Sequence, residues 1–158
     1  MIEKRQHAVN SGLPGRTAAG EALTSLILRV VRLSTAFTAK GEELAQPSGQ
    51  TLARWVVLDA VMEAPATVSE VGRRLGYARQ SIQRVADLLV EDDLAIYEDN
   101  PEHRRAKLLG PTKEGRRIVA DINRRQKAWS DELGAAVGEE DLATMGAILD
   151  RILEEMSK

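Results

Sequence analysis

Two short amphipathic patterns, three residues apart, narrow the folds open to this chain. The stretch Thr67-Val-Ser-Glu70 has the Thr-x-x-Glu spacing of a capping box. In that motif the threonine hydroxyl accepts from the third helical N–H and the glutamate reaches back to the threonine N–H. Val68, Val71 and Leu75 then share one helical face, and Gly76 supplies a stop. A second helix is expected over about Ala78–Asp92, with Ile82, Val85 and Leu89 turned inward. With only Leu75-Gly76-Tyr77 to join them, the two make a helix-turn-helix.

The hydrophobic period changes on either side. Ala95–Glu98 and Ala106–Leu109 read as two short strands, joined by the turn-prone Asp99-Asn-Pro101 and closed by Gly110-Pro111. Before the helix-turn-helix, Leu23, Leu26, Ile27, Val30, Leu33 and Phe37 recur at helical spacing from about Ala18 to Leu44. Gln46-Pro-Ser-Gly49 breaks that pattern. Thr51 caps a further helix expected to run through Met62, with Leu52, Trp55, Leu58 and Met62 inside, and Ala64-Pro65 ends it. After the hairpin, Thr112 starts a long helix carrying Ile118, Ile122, Trp129 and Leu133, loosened at Gly134 and Gly138. A last helix has Glu139, Glu140 and Asp141 in its first turn, where the helix dipole favours acids. Its stripe is Leu142, Met145, Leu149, Ile152 and Met156.

The expected fold class is therefore mainly α, with one small β-hairpin. Residues 1–16, with Gly12, Pro14 and Gly15 and no periodicity, read as a flexible arm. Residues 47–111 read as a central lobe, and 17–46 with 112–158 as flanking helices. One helix cannot bury the terminal stripe and also support the lobe. Pairing with the first helix and with a second copy of the chain would bury it. That makes Leu23, Ile27, Leu142, Met145, Leu149, Ile152 and Met156 the expected dimer seam.

Composition removes several function classes. There is no cysteine, so disulfides, thiolate metal sites and thiol redox sensing drop out. His7 and His103 lie far apart in sequence, so no metal site and no cofactor is expected. No unbroken apolar run approaches the ~20 residues that span a bilayer, and Met1–Arg16 lacks the apolar core of a secretory signal. No membrane association and a cytoplasmic location are the expectation. No nucleophile–base pair, phosphate-binding glycine loop or paired carboxylate points to an enzyme.

Taken globally, the net charge of −2 and pI of about 5.8 argue against nucleic-acid binding. The distribution of charge argues the other way. From Asp131 onward, eight acids face only Arg151 and Lys158. The remainder is net basic, and His103, Arg104, Arg105 and Lys107 are its densest cationic cluster. The field that DNA meets is local, so the acidic tail does not cancel it. On the second helix of the helix-turn-helix, Gln80, Arg84 and Asp87 point outward, Gln83 lies on the flank, and Arg79 and Ser81 lie near the start. Glutamine pairs bidentately with adenine and arginine with guanine, while serine suits a phosphate. Asp87 repels phosphate, and a local pair with Arg84 one turn away is the simplest account of it. Taken alone, this helix reads equally well as a solvated amphipathic surface. The capped helix before it and the basic hairpin after it favour DNA.

These residues resemble a known family. The run from Thr67 to Val90, followed by Asn100-Pro-Glu-His-Arg-Arg-Ala-Lys107 and Gly110-Pro-Thr-Lys-Glu-Gly115, is similar to the multiple-antibiotic-resistance regulator (MarR) family, over about Ala18 to Met156. The resemblance implies a homodimeric winged helix-turn-helix regulator that reads a palindrome in double-stranded DNA. It carries base and phosphate contacts over to Arg79, Gln80, Ser81, Gln83 and Arg84, and a wing contact to Arg104 or Arg105. It also implies repression relieved by a small, often anionic aromatic ligand. Trp55 and Trp129 are the candidates for lining such a pocket, although their helical spacing favours core packing. A protein-interaction scaffold or antirepressor built on the same fold is the alternative.

Overall fold

The structure, a computed structural model, describes residues 15–103 and 105–158. The expected arm therefore lies outside the described residues except for Gly15 and Arg16, and so does Arg104. In order, the elements are α1 (Ala18–Ala45), a 3-10 turn (Gln46–Ser48), α2 (Leu52–Asp59), β1 (Ala66–Thr67), α3 (Val68–Leu75), α4 (Arg79–Glu91), β2 (Ala95–Glu98), β3 (Leu108–Pro111), α5 (Lys113–Val137) and α6 (Glu139–Met156). Two compact units divide the chain, one ending at Thr38 and one from Ala39 to Lys158.

Helix starts follow local chemistry. The Thr51 hydroxyl accepts from the Arg54 N–H at 3.3 Å. The capping box is complete: the Glu70 N–H donates to Thr67 Oγ1 at 3.2 Å, and the Thr67 N–H donates to Glu70 Oε2 at 2.8 Å. These bonds to Thr67, with Arg74 and Arg73 nearby, hold the Glu70 carboxyl below its ordinary range. Gly76 ends α3 in the left-handed region at φ 72°, which an L side chain would strain. Thr112 caps α5 by accepting from the Gly115 N–H at 3.0 Å, and its hydroxyl donates to the Asp93 carbonyl at 2.8 Å.

The sheet differs from the expected hairpin in two ways. It has three strands in the order β1-β3-β2, both pairings antiparallel. β1 is two residues long, too short to show any alternation in sequence. β3 begins at Leu108 rather than Ala106, because the Ala106 N–H is taken up in a turn on the His103 carbonyl. Gly110 and Pro111 continue the strand, opposite Ile96 and Ala95. Proline fits there because β1 pairs only with Leu108 and Leu109, so its missing N–H faces no partner strand. α2 also ends at Asp59, short of Met62, as the chain tightens into three-residue turns from Leu58 to Val61 and Asp59 to Met62.

The core is aliphatic and lies wholly in the second unit. Val57, Leu58, Val61, Val71, Leu89, Leu109, Val119 and Ile122 are buried, and among the described residues no polar or charged one joins them. Burial of each Val, Leu or Ile side chain is worth ~1.5–3 kcal/mol. Side-chain ties lock α5 onto this lobe. Arg116 donates to the Met62 carbonyl at 2.9 Å, and Arg125 donates to the Leu44 carbonyl at 3.0 Å and to Ser48 Oγ at 2.6 Å.

α6 contributes nothing to the core, and no residue of it is buried. Leu142, Met145, Ile148, Leu153 and Met156 are exposed on it, whereas Leu149 and Ile152 of the expected seam are half-buried. Leu23 and Ile27 on α1 are likewise exposed. Ala18–Ser48 is long and apolar enough, by length and composition, to cross a membrane, although it contains no unbroken apolar run of that length. Averaged hydropathy passes over interspersed Ser and Thr, whereas an apolar run does not. Arg29 and Arg32 interrupt the stretch, and each would cost ~2.5–3.5 kcal/mol at a bilayer centre.

These contacts carry two expectations for stability. A Cβ on Gly115 would stand 2.0 Å from the Leu94 carbonyl oxygen, so Gly115→Ala must push α5 off the lobe. The expected loss is about 1–3 kcal/mol, read as a lower denaturant midpoint with unchanged slope; an unaltered midpoint would contradict the close approach. Glu70→Gln keeps the capping geometry but loses the charge. Because the Glu70 carboxyl is held low, its contribution is present above about pH 4.5 and is lost as pH falls through its folded value. The midpoint gap between wild type and Glu70→Gln should therefore close on acidification, and a gap that widens would reverse the assignment.

Candidate nucleic-acid interface

α4 sorts its residues by face. Ile82, Ala86 and Leu89 are buried and Val85 is half-buried, so Gln80 and Arg84 are exposed on the opposite side, with Ser81 exposed on the flank and Arg79 at the N-terminal edge. None of those four side chains is engaged by another described residue in a hydrogen bond or ion pair. Ala78 is the N-cap and offers no side-chain acceptor, so the first N–H groups of α4 stay open to solvent or a ligand. The far end of α4 is anchored by Arg54 of α2, which pairs with Asp92 at 2.5 Å.

Opposite α4 stands the wing, the loop between β2 and β3. Asn100 shapes it, with its side-chain oxygen accepting from the Glu102 N–H at 3.0 Å and its carbonyl from the His103 N–H at 3.2 Å. His103, Arg105 and Lys107 are exposed on it. Arg105 and Lys107 converge with Arg79 on one cleft of about 220 Å3. Its other walls are Thr67 and Ser69 at the start of α3, Gln83 on α4 and Tyr97 on β2. Three cations and a helix N-terminus around one cleft give a local positive potential that suits an anionic oxygen.

Asp87 does not pair with Arg84, the partner that sequence spacing suggests. Its Oδ1 instead accepts from the Gln83 amide at 2.8 Å and from the Tyr97 hydroxyl at 2.8 Å. Gln83 Nε2 also donates to the Tyr97 oxygen at 2.8 Å. Burial first, and then the bond to Asp87, push the Tyr97 phenol up to about 12. The Nε2 end of the Gln83 amide is thus held by two contacts within the chain. The bidentate grip on adenine expected of Gln83 would require breaking them. Sequence reasoning assigns neither Asp87 nor Tyr97 a role on a reading side chain. Tyr97 is separated from Gln83 by a helix, a turn and half a strand, and no local spacing signals the contact.

Trp55 and Trp129 both pack against the hydrophobic core. Trp55 is further pinned, its Nε1–H donating to Asn123 Oδ1 at 3.0 Å while the Asn123 amide donates to Asp59 at 3.0 Å. Neither lines the cationic cleft. Among the described residues there is no group of three or more His, Cys, Asp or Glu able to hold a metal.

Comparison with known proteins agrees with this geometry. The sequence model of the MarR family matches residues 48–106, the helix-turn-helix and wing. An uncharacterised protein of Mycobacterium tuberculosis is 36% identical over 132 residues, covering 84% of this chain and 90% of that protein. Among solved structures, a MarR family transcriptional regulator from Streptomyces coelicolor matches with a TM-score of 0.74 at 22% identity, covering 86% of this chain and 96% of that one. CouR from Rhodococcus jostii RHA1, bound to p-coumaroyl-CoA, matches at 0.73 and 22%, covering 80% and 90%. Staphylococcus aureus MarR, in complex with salicylate and kanamycin, matches at 0.73 and 17%, covering 88% and 95%. At these identities the structures speak for the fold, a winged helix. That fold, the family match across the helix-turn-helix and the near full-length mycobacterial relative together place the chain in the MarR family of transcription regulators.

Proposed function

We propose that the chain is a sequence-specific regulator that binds double-stranded DNA as a homodimer, reads a palindrome, and acts in the cytoplasm as a ligand-responsive repressor. The observation that carries this reading is the convergence of α4 and the wing. Arg79, Gln80, Ser81 and Arg84 are exposed and unengaged at the uncapped start of α4, and Arg105 and Lys107 stand across a shared cleft. The start of α4 would enter the major groove, where Arg84 suits guanine O6 and N7 and Gln80 suits adenine. Arg79, Ser81 and the open N–H groups would hold phosphate. His103, Arg104, Arg105 and Lys107 would grip the neighbouring backbone or minor groove.

The homodimer would cover the exposed apolar residues of α1 and α6, which otherwise meet water. A two-fold axis would then set two copies of α4 about one DNA turn apart, matching a palindromic site. The effector class that suits the cleft's three cations is a small anionic aromatic. The relatives bound to salicylate and to p-coumaroyl-CoA support that choice by analogy. Release of DNA on adding salicylate, measured with a labelled duplex, would bear it out, and undiminished binding at saturating salicylate would remove that ligand.

Anisotropy of a labelled duplex across a salt series tests the DNA contacts. Arg105→Ala should weaken binding to every sequence and flatten the plot of log affinity against log salt by ~0.9, one lost phosphate contact. An identical slope would take Arg105 out of the interface. Sedimentation tests the seam. Met145 and Leu153 are exposed in the single chain, so Met145→Asp and Leu153→Asp should spare the fold yet yield monomers. Dimers of both variants at the wild-type concentration would place the interface elsewhere.

A further inference from the structure

We infer that Asp87 and Tyr97 set the base preference of α4 by holding Gln83 as a hydrogen-bond acceptor only. The inference deepens the DNA-binding reading above and rests on it.

Hydrogen accounting carries the argument. Gln83 Nε2 lies 2.8 Å from Asp87 Oδ1 and 2.8 Å from the Tyr97 oxygen, and that oxygen lies 2.8 Å from the same Asp87 Oδ1. An ionised carboxylate only accepts, so the Gln83 atom facing it must be the amide nitrogen. The Tyr97 hydroxyl has one hydrogen, which goes to Asp87, and its oxygen is left to accept from Gln83. The phenolic hydrogen is then used within the triangle, and the Nε2 end of the amide is turned into it, its N–H bonds bent toward two acceptors that stand closer together than the bonds diverge. What Gln83 retains for a ligand is Oε1.

A free glutamine rotates its amide to suit donor or acceptor, and so reads bases permissively. A locked one does not. In the major groove, Oε1 matches the N6 amino group of adenine or the N4 amino group of cytosine. Facing only guanine O6 and N7 or thymine O4, it would set lone pair against lone pair. The lock has rigid backing, since Asp87 is one turn along α4 from Gln83 and Tyr97 packs against the hydrophobic core from β2. Gln83 and Tyr97 both line the cleft. The phenol stays protonated far above neutrality, so the triangle persists at physiological pH. Asp87 and Tyr97 are positioning residues that act through Gln83.

The experiment is selection of the full-length protein on a random duplex pool, with sequencing, for wild type and for Gln83→Ala, Asp87→Ala and Asp87→Asn. Wild type should show one position in each half-site restricted to adenine or cytosine, and Gln83→Ala should erase that restriction alone. Asp87→Ala should relax it roughly fivefold, the size of one hydrogen bond, to admit guanine and thymine. Asp87→Asn, whose side-chain oxygen still accepts, should preserve it while strengthening affinity for all sequences, because a negative charge is gone. Loss of preference in Asp87→Asn equal to that in Asp87→Ala would make charge, not the lock, responsible. An unchanged position in both Gln83→Ala and Asp87→Ala would overturn the inference.

A second readout does not involve DNA. In a Tyr77→Phe background Tyr97 is the only tyrosine. Its ultraviolet titration should fall from about 12 toward 10 on Asp87→Ala. No fall would mean the triangle is not formed. If folded wild type selects no sequence, the DNA-binding reading fails and the base preference falls with it, while the titration still reports whether the lock exists.

Discussion

Ile82, Ala86 and Leu89 withdraw one face of α4 almost completely from water, and the rest of the site depends on that burial. They meet an aliphatic core drawn largely from α2, α3, β3 and the first half of α5, with no buried polar or charged residue among those described. Because α4 is held from behind in this way, its outward residues have a defined direction. Gly115 lets the start of α5 approach the Leu94 carbonyl behind the sheet, and Arg54 ties down the far end of α4 at Asp92. The result is a rigid platform that presents Arg79, Gln80, Ser81 and Arg84 together, which is what base reading to within a fraction of an ångström requires.

Charge is organised on the same principle of separation. The chain is net acidic, yet its acids are concentrated late in the sequence, where Glu139, Glu140 and Asp141 stabilise the first turn of α6. The cleft between α4 and the wing has three cations and no acid in its lining. Asp87, the one acid on the outward side of α4's first three turns, has its oxygen engaged by Gln83 and Tyr97. Its charge is thereby put to use as a fixed acceptor.

Much of the fold is legible in local chemistry. Thr51, Thr67 and Thr112 cap helices where hydroxyl position and apolar spacing say they should, and Gly76 turns α3 into α4. The outward set on α4 can be read because burial of Ile82 and Leu89 fixes the helical phase. What escapes is whatever depends on contacts between distant segments. β1 is two residues long and is held in place by β3, more than forty positions later. The start of β3 depends on a turn centred on the wing, and strand propensity says nothing about it. The partner of Asp87 is hidden for the same reason: helical spacing offers Arg84, whereas tertiary packing delivers Tyr97. Spacing already favours the core for Trp55, and the bond to Asn123, on a helix far along the chain, holds it there.

Backbone hydrogen exchange of the full chain, with and without a random-sequence duplex at low salt, tests the central claim most directly. If α4 and the wing form the DNA-binding face, added duplex should slow exchange at Arg79–Arg84, at the wing from His103 to Lys107, and at the start of α3, and leave α6 unchanged. Protection absent from α4 and the wing, or confined to α6, would contradict the account and assign this fold to a partner other than DNA.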